Sequence, residues 1–253
     1  ALGALIFATA LYIRGVVALA RRGDRWPVGR TISFAIGISL LDYATSGGLG
    51  LYSHFSFQYH MIAHMVLSMI APIAIILSAP ITLALRTLPI GRDKSERGIR
   101  GMLIQTLHSR PSRVITHPVS ALAIFDGSLF ALYFTPLFSN LMSGHFGHLI
   151  MNFHFIAAGL LFFHVIVGID PNPRKVHHLV RVVILLAAMS IHAFFSIALM
   201  SANELIDGGF YQLLDRPWAT DLISDQKVGA AIGWAMGEIP IVIALVATFI
   251  QWV

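Results

Sequence analysis

The chain has 253 residues, 57% of them hydrophobic and 11% charged, with a formal net charge of +5, where an ordinary soluble domain carries about 25% charged residues. That balance excludes a water-soluble enzyme and describes a polytopic helical membrane protein. Cysteine is absent, so thiolate ligation, disulfides and thiol exchange are excluded too.

The first apolar stretch, 1–20, lacks a small-residue cleavage site and is followed rather than preceded by arginines. It reads as a retained span, the first helix of a processed or longer parent chain, and not as a signal peptide. At about 20 residues per crossing, further windows fall at 31–49, 60–85, 117–138, 148–169, 179–200 and 229–253. The expected fold is therefore all-α: a bundle of seven transmembrane helices forming a single domain over 1–253. These runs are too long for the roughly 10-residue alternating strands of a membrane β-barrel. Pro72 and Pro80 lie inside the third window and predict a bend there. In the loop 86–116, Ile99, Met102, Leu103 and Leu107 recur at helical spacing among basic residues, a pattern suited to lying flat at the membrane interface. Asp170-Pro171-x-Pro173 reads as a turn capping the fifth helix. The loop 201–227, with Glu204, Asp207, Asp215, Asp221 and Asp225, reads as a solvated acidic loop.

Charge placement sets the expected orientation. The first, third and fifth connections collect Arg21, Arg22, Arg25, Arg30, Arg86, Arg92, Lys94, Arg97, Arg100, Arg110, Arg113, Arg174, Lys175 and Arg181, which are 14 of the 17 basic residues. The positive-inside rule then puts the N terminus outside and the C terminus inside. The excess charge sits where membrane lipid headgroups lie, so a nucleic-acid partner is not implied.

Ionisable side chains inside such a bundle are costly and usually functional. His60 and His64 begin the third helix one turn apart, on one side, beside Met61 and Met65. His148 starts the fifth helix, His154 lies about 9 Å deeper, and His192 lies about 12 Å below the end of the sixth at 1.5 Å per residue. These imidazoles share an outer layer. Imidazole with thioether suits copper, which makes His60, His64, His154 and His192 candidate ligands, with His148, Met61 and Met65 as additional ones. A b-type haem between two facing histidines is an alternative cofactor. Asp42, Asp126 and Glu238 sit several residues from any loop and are candidates for orienting a histidine or relaying protons, with Arg14 a potential partner of Asp42. His117 and His164 form a candidate inner-side polar cluster. The alternative for the whole set is polar glue between helices, without metal.

The motifs His60-Met61-x-x-His64, Ala71-Pro72, Ser78-Ala79-Pro80 and Arg86 are followed by His117-Pro118, His148-x-x-Met151-x-x-His154-Phe155-x-x-x-Gly159 and Gly168-x-Asp170-Pro171-x-Pro173. His192, Asp225-Gln226 and Trp234-x-x-Gly237-Glu238-x-Pro240 complete the order. Over about residues 40–240 this series resembles the CtaG family of seven-helix proteins that assist cytochrome c oxidase assembly. The resemblance implies a role in supplying copper to the binuclear copper centre of the oxidase, often in a chain joined to a CopD-like membrane domain. This chain has Ala63 where the family commonly has Gln, and Asn152 where it has a second histidine.

The resulting expectation is a non-enzymatic protein of the bacterial cytoplasmic membrane that handles copper near the outer face. An oxidase subunit or a copper chaperone is the expected partner. No nucleophile elbow, H-E-x-x-H or phosphate loop is present. A copper permease using the inner residues, a haem-binding electron carrier and a metal-free assembly scaffold are the alternatives.

Overall fold

Continuous apolar runs leave a backbone in lipid one economical choice, the helix, in which every N–H and C=O is bonded internally. The computed structural model of the chain describes residues 2–89, 98–173, 176–214 and 221–252, and the regular structure in them is helical. The helices are α1 (Leu2–Arg21), α2 (Val28–Thr45), the interrupted α3 (Phe57–Thr87), α4 (Ile99–Leu107), α5 (Arg110–Ile115), α6 (Pro118–Tyr133), α7 (His145–Val167), α8 (His178–Ser201) and α9 (Leu222–Trp252), with short unlabelled helical turns at Gly48–Tyr52, Leu137–Met142 and Phe210–Leu213. Arg92, Lys94, Arg97, Arg174, Lys175, Asp215 and Arg216 lie outside the described residues.

Among the described residues, six helical segments are long and apolar enough to cross a membrane. The expected fourth span, 117–138, is instead the shorter α6 of 16 residues. At 1.5 Å per residue it covers about 24 Å, less than the roughly 30 Å hydrocarbon core. Proline sets both ends: Pro118 opens the helix at a position where its missing N–H costs nothing, and Pro136 disfavours helical backbone at Thr135.

The predicted bend in α3 has three local causes. The Ser68 hydroxyl bonds back to the His64 carbonyl at 2.7 Å, Val66–Ile70 forms a π turn in which the Ala71 N–H reaches Val66, and Pro72 has no N–H to give. Residue 159 of α7 presses against this turn, where a Cβ would overlap the Ser68 carbonyl, so the approach requires glycine. Farther along, Ala79 adopts φ 52°, a left-handed conformation costing about 1–3 kcal/mol, and Pro80 starts a new helical stretch.

Two buried carboxylates stabilise the starts of these helical stretches. Asp225, in the first turn of α9, accepts from the Ser56 hydroxyl at 2.8 Å and from the Phe57 N–H at 2.8 Å. Asp170 accepts from the Thr82 N–H at 2.7 Å, the Thr82 hydroxyl at 2.6 Å and the Ile81 N–H at 3.2 Å. Both readings from sequence change accordingly. α7 is ended by Gly168 in the left-handed region, which frees Asp170 to reach across to α3. In the acidic loop, Asp225 and Asp207 are buried, Asp207 accepting from the Gly209 and Tyr211 N–H groups, because a carboxylate matches the uncompensated N–H groups at a helix start.

The main core runs between α3, α6, α7, α8 and α9, with Phe125 stacked on Phe162 at 4.4 Å. A satellite core of Tyr12, Leu19, Phe34 and Leu83 joins α1 and α2 to the end of α3. On its other side α1 exposes Ile6, Phe7 and Ile13, as a lipid-facing helix does. Replacing Asp225 by Ala leaves the Ser56 hydroxyl and the Phe57 N–H without their acceptor and is expected to cost about 1.5–3 kcal/mol. Thermal unfolding in detergent should show a lowered midpoint, with Asp225→Asn between the variant and wild type.

Candidate functional site

The helical rise places His60 and His64 one above the other on α3, both fully enclosed at 0% and 1% exposure, with ring centroids 3.9 Å apart. The Tyr133 hydroxyl at the end of α6 lies 2.6 Å from His64 Nδ1. Phe155 covers the other ring face of His64 at 4.1 Å, and Phe138 meets His60 edge-on at 5.0 Å. His148 of α7 stands 6.2 Å from His60 and 4.2 Å from His54, whose Nδ1 is 2.8 Å from the Gly50 carbonyl. Asn152, where the family commonly has histidine, contacts His148 at 3.3 Å. A file of four imidazoles thus leads from the α2–α3 connection inward to a phenol. Among the described residues no protein group lies in hydrogen-bonding geometry with either ring nitrogen of His60 or with the Nε2 of His64.

His192 of α8 belongs to a different arrangement. Its Nε2 lies 3.2 Å from the Gly233 carbonyl, so that nitrogen carries the hydrogen and donates it. Nδ1, the lone-pair side of a neutral ring, faces Asp126 at 3.7 Å with both residues 1% exposed. Attraction between them requires a proton on the carboxyl or a second one on the ring. A π turn over Ala123–Gly127 turns Asp126 inward, the kind of helical irregularity that recurs at functional sites.

Three glycines on α9, at positions 229, 233 and 237, share one face at i, i+4, i+8. A Cβ on them would strike Phe57, Met61 and the His192 ring respectively. This small-residue stripe lets α3 and α8 approach α9 closely. Met61 and Met65 are consequently buried beside the histidines.

The other candidates are dispersed. His154 is half-buried next to Phe155 at 5.8 Å with its Nε2 unbonded, and no bond or ring contact joins it to His60 or His64 among the described residues. His117 Nδ1 accepts from the Val119 N–H and caps α6, whereas His164 is buried in α7 with Nδ1 unbonded. No bond ties these two into one cluster among the described residues. Glu238 accepts from the Trp234 indole at 3.2 Å rather than holding a histidine. Asp42 has a buried oxygen without a hydrogen bond, and among the described residues no ion pair links it to Arg14, which is exposed on α1. Nor do any three His, Asp or Glu side chains among the described residues converge into a group that could hold a metal ion. Similar height along the helices does not bring these residues together: the direction in which each helix presents them separates His154 and His192 from the pair on α3.

Sequence reasoning passed over Tyr133 and His54. Tyrosine near a helix end is ordinary at a membrane interface, and His54 lies between windows, where no depth was assigned. The close fit at Gly237 gives a test. Gly237→Ala is expected to destabilise the protein by about 1–3 kcal/mol through overpacking, and by much less in a His192→Ala background. Equal costs in both backgrounds, by thermal unfolding, would show that the two residues are not in contact.

Residues 10–253 match the family described as cytochrome c oxidase caa3 assembly factor, CtaG. Uncharacterized proteins of Mycobacterium bovis and Mycobacterium tuberculosis are each 40% identical over 241 residues, covering 95% of this chain and 36% of theirs. An uncharacterized protein of Mycobacterium leprae is 40% identical over 253 residues, covering 98% of this chain and 38% of its own. The chain therefore spans little more than a third of the length of these relatives. No solved structure matches it. Bacterial relatives together with six membrane-length helices place the chain in a bacterial cytoplasmic membrane. On the match across almost its whole length, the chain belongs to the CtaG family of cytochrome c oxidase assembly factors.

Proposed function

We propose that the chain serves cytochrome c oxidase assembly as a metal-free membrane scaffold, a single transmembrane domain with its N terminus outside. The family consists of non-catalytic assembly factors, which supports the process. The observation that carries the scaffold reading is the division of the polar core into separate contacts, His60 with His64 and Tyr133 on one side and His192 with Asp126 on the other. Among the described residues no three His, Asp or Glu side chains form a group that could hold a metal ion. Polar contacts of this kind hold helices in one register, because each buried group has few alternative partners in an apolar surrounding.

A second reading keeps copper as cargo. Its support is the 3.9 Å spacing of the His60 and His64 rings, their three unbonded nitrogens and the buried Met61 and Met65, which are donors suited to copper. In this reading an oxidase subunit or a copper chaperone completes the ligand set. His154 and His192 act farther along, Asp42, Asp126 and Glu238 relay protons, and a CopD-like domain shares the longer polypeptide of some relatives.

The scaffold reading predicts that His60→Ala/His64→Ala leaves oxidase assembly intact. The measurement is the oxidase absorption band in membranes of a complemented deletion strain, normalised to the abundance of the variant, since destabilisation alone can deplete a protein several-fold. Loss of the oxidase at normal variant abundance would overturn the scaffold. Metal analysis of purified protein, a Soret band, and vesicle uptake that depends on His117, His164, Asp126 and Glu238 would then separate copper delivery, haem binding and permease activity.

A further inference from the structure

We propose that the protein holds the phosphate of an anionic phospholipid headgroup in an arginine-lined pocket at the end of α3. The pocket, of about 430 Å³, is lined by Arg22, Arg86 and Arg100 with Leu85, Leu88 and Pro89. Three elements deliver the guanidinium groups to one place. Arg22, following α1, donates to the Arg86 carbonyl at 3.1 Å and the Thr87 carbonyl at 3.4 Å. Arg100, on α4, donates through Nε to the Leu85 carbonyl at 2.9 Å. These bonds cap the carbonyl end of α3 and fix the side chains, while a guanidinium has five N–H donors in all. Among the described residues one carboxylate pairs with this group, Asp24 with Arg86 at 3.6 Å, and that pair is exposed. Among the described residues, positive charge therefore exceeds negative around the pocket.

The surroundings fix the ligand as a lipid. Trp26, an interfacial residue type, lies 4.8 Å under Arg30 and 6.0 Å from Arg86, with its indole N–H on the Tyr12 hydroxyl at 3.0 Å. Beside the pocket, α4 has no buried residue and exposes Ile99, Met102 and Ile104, and α5 exposes Val114 and Ile115. Apolar side chains interleaved with arginine on short helices match a surface lying among acyl chains and headgroups. Guanidinium groups recognise phosphate through paired hydrogen bonds, and basic pockets beside transmembrane helices bind anionic headgroups.

The test uses the whole chain in nanodiscs of mixed phosphatidylglycerol and phosphatidylcholine, with retained lipid counted by native mass spectrometry. Wild type is expected to retain phosphatidylglycerol preferentially. The preference should fall about fivefold for each arginine removed in Arg22→Gln and Arg100→Gln, and fall less in Arg22→Lys/Arg100→Lys, which keeps the charge but not the paired hydrogen bonds; the thermal unfolding midpoint of each variant controls for folding. An unchanged preference in the glutamine variants would overturn the proposal. Displacement of the lipid by excess inorganic phosphate would overturn it in favour of a free-anion pocket.

Discussion

Lipid offers no hydrogen-bond partner, and α3 is the helix that most needs one. It is interrupted by a π turn, two prolines and a left-handed alanine, and each interruption releases backbone groups that only other protein atoms can satisfy. Asp225 and Asp170 do so at the two helix starts, from α9 and from the end of α7. The positions of α7 and α9 around α3 follow from those bonds together with close contacts at Gly159, Gly229 and Gly233. Residues far apart in sequence are thereby held by charge-assisted bonds stronger than neutral ones.

Irregularity in α3 and α6 also shapes the polar core. A regular helix would continue the face set by His60 and His64; the π turn after Met65 shifts the following residues around the axis and brings the Ser68 turn onto Gly159. A second π turn turns Asp126 toward His192. The consequence is an enclosed pair of imidazoles under Tyr133 and a separate carboxyl–imidazole contact, with the α9 glycine stripe running past both. At the first, two imidazoles face each other across 3.9 Å, whereas at the second a carboxyl and an imidazole of this chain face each other at 3.7 Å. Scaffold and copper-delivery readings thus make different demands on the same histidines.

At the arginine-rich end, the termination of α3 has a further consequence. Carbonyls left unpaired at the last turn attract cations, and Arg22 and Arg100 meet that demand. Satisfying the helix end gathers positive charge beside Trp26 and the exposed apolar helix α4, which gives this edge of the bundle an interfacial character.

Composition and long apolar runs determined the membrane-helical class, most of the spans and the bend at Pro72, because those properties depend on local hydropathy and local backbone chemistry; they assign the histidines an expected depth by rise per residue. The family likeness was legible in the order of short motifs. Tertiary structure decided what depth could not: the rotation of each helix about its own axis. That rotation joins His60 to His64, Tyr133 and His148, turns His192 to Asp126 and leaves His154 apart. It decided as well that Asp170 and Asp225, which read locally as turn and loop residues, cap helix starts some ninety and more residues away in sequence. A carboxylate's partner is whichever unsatisfied donor packing brings to it, and one-dimensional spacing carries no record of that encounter.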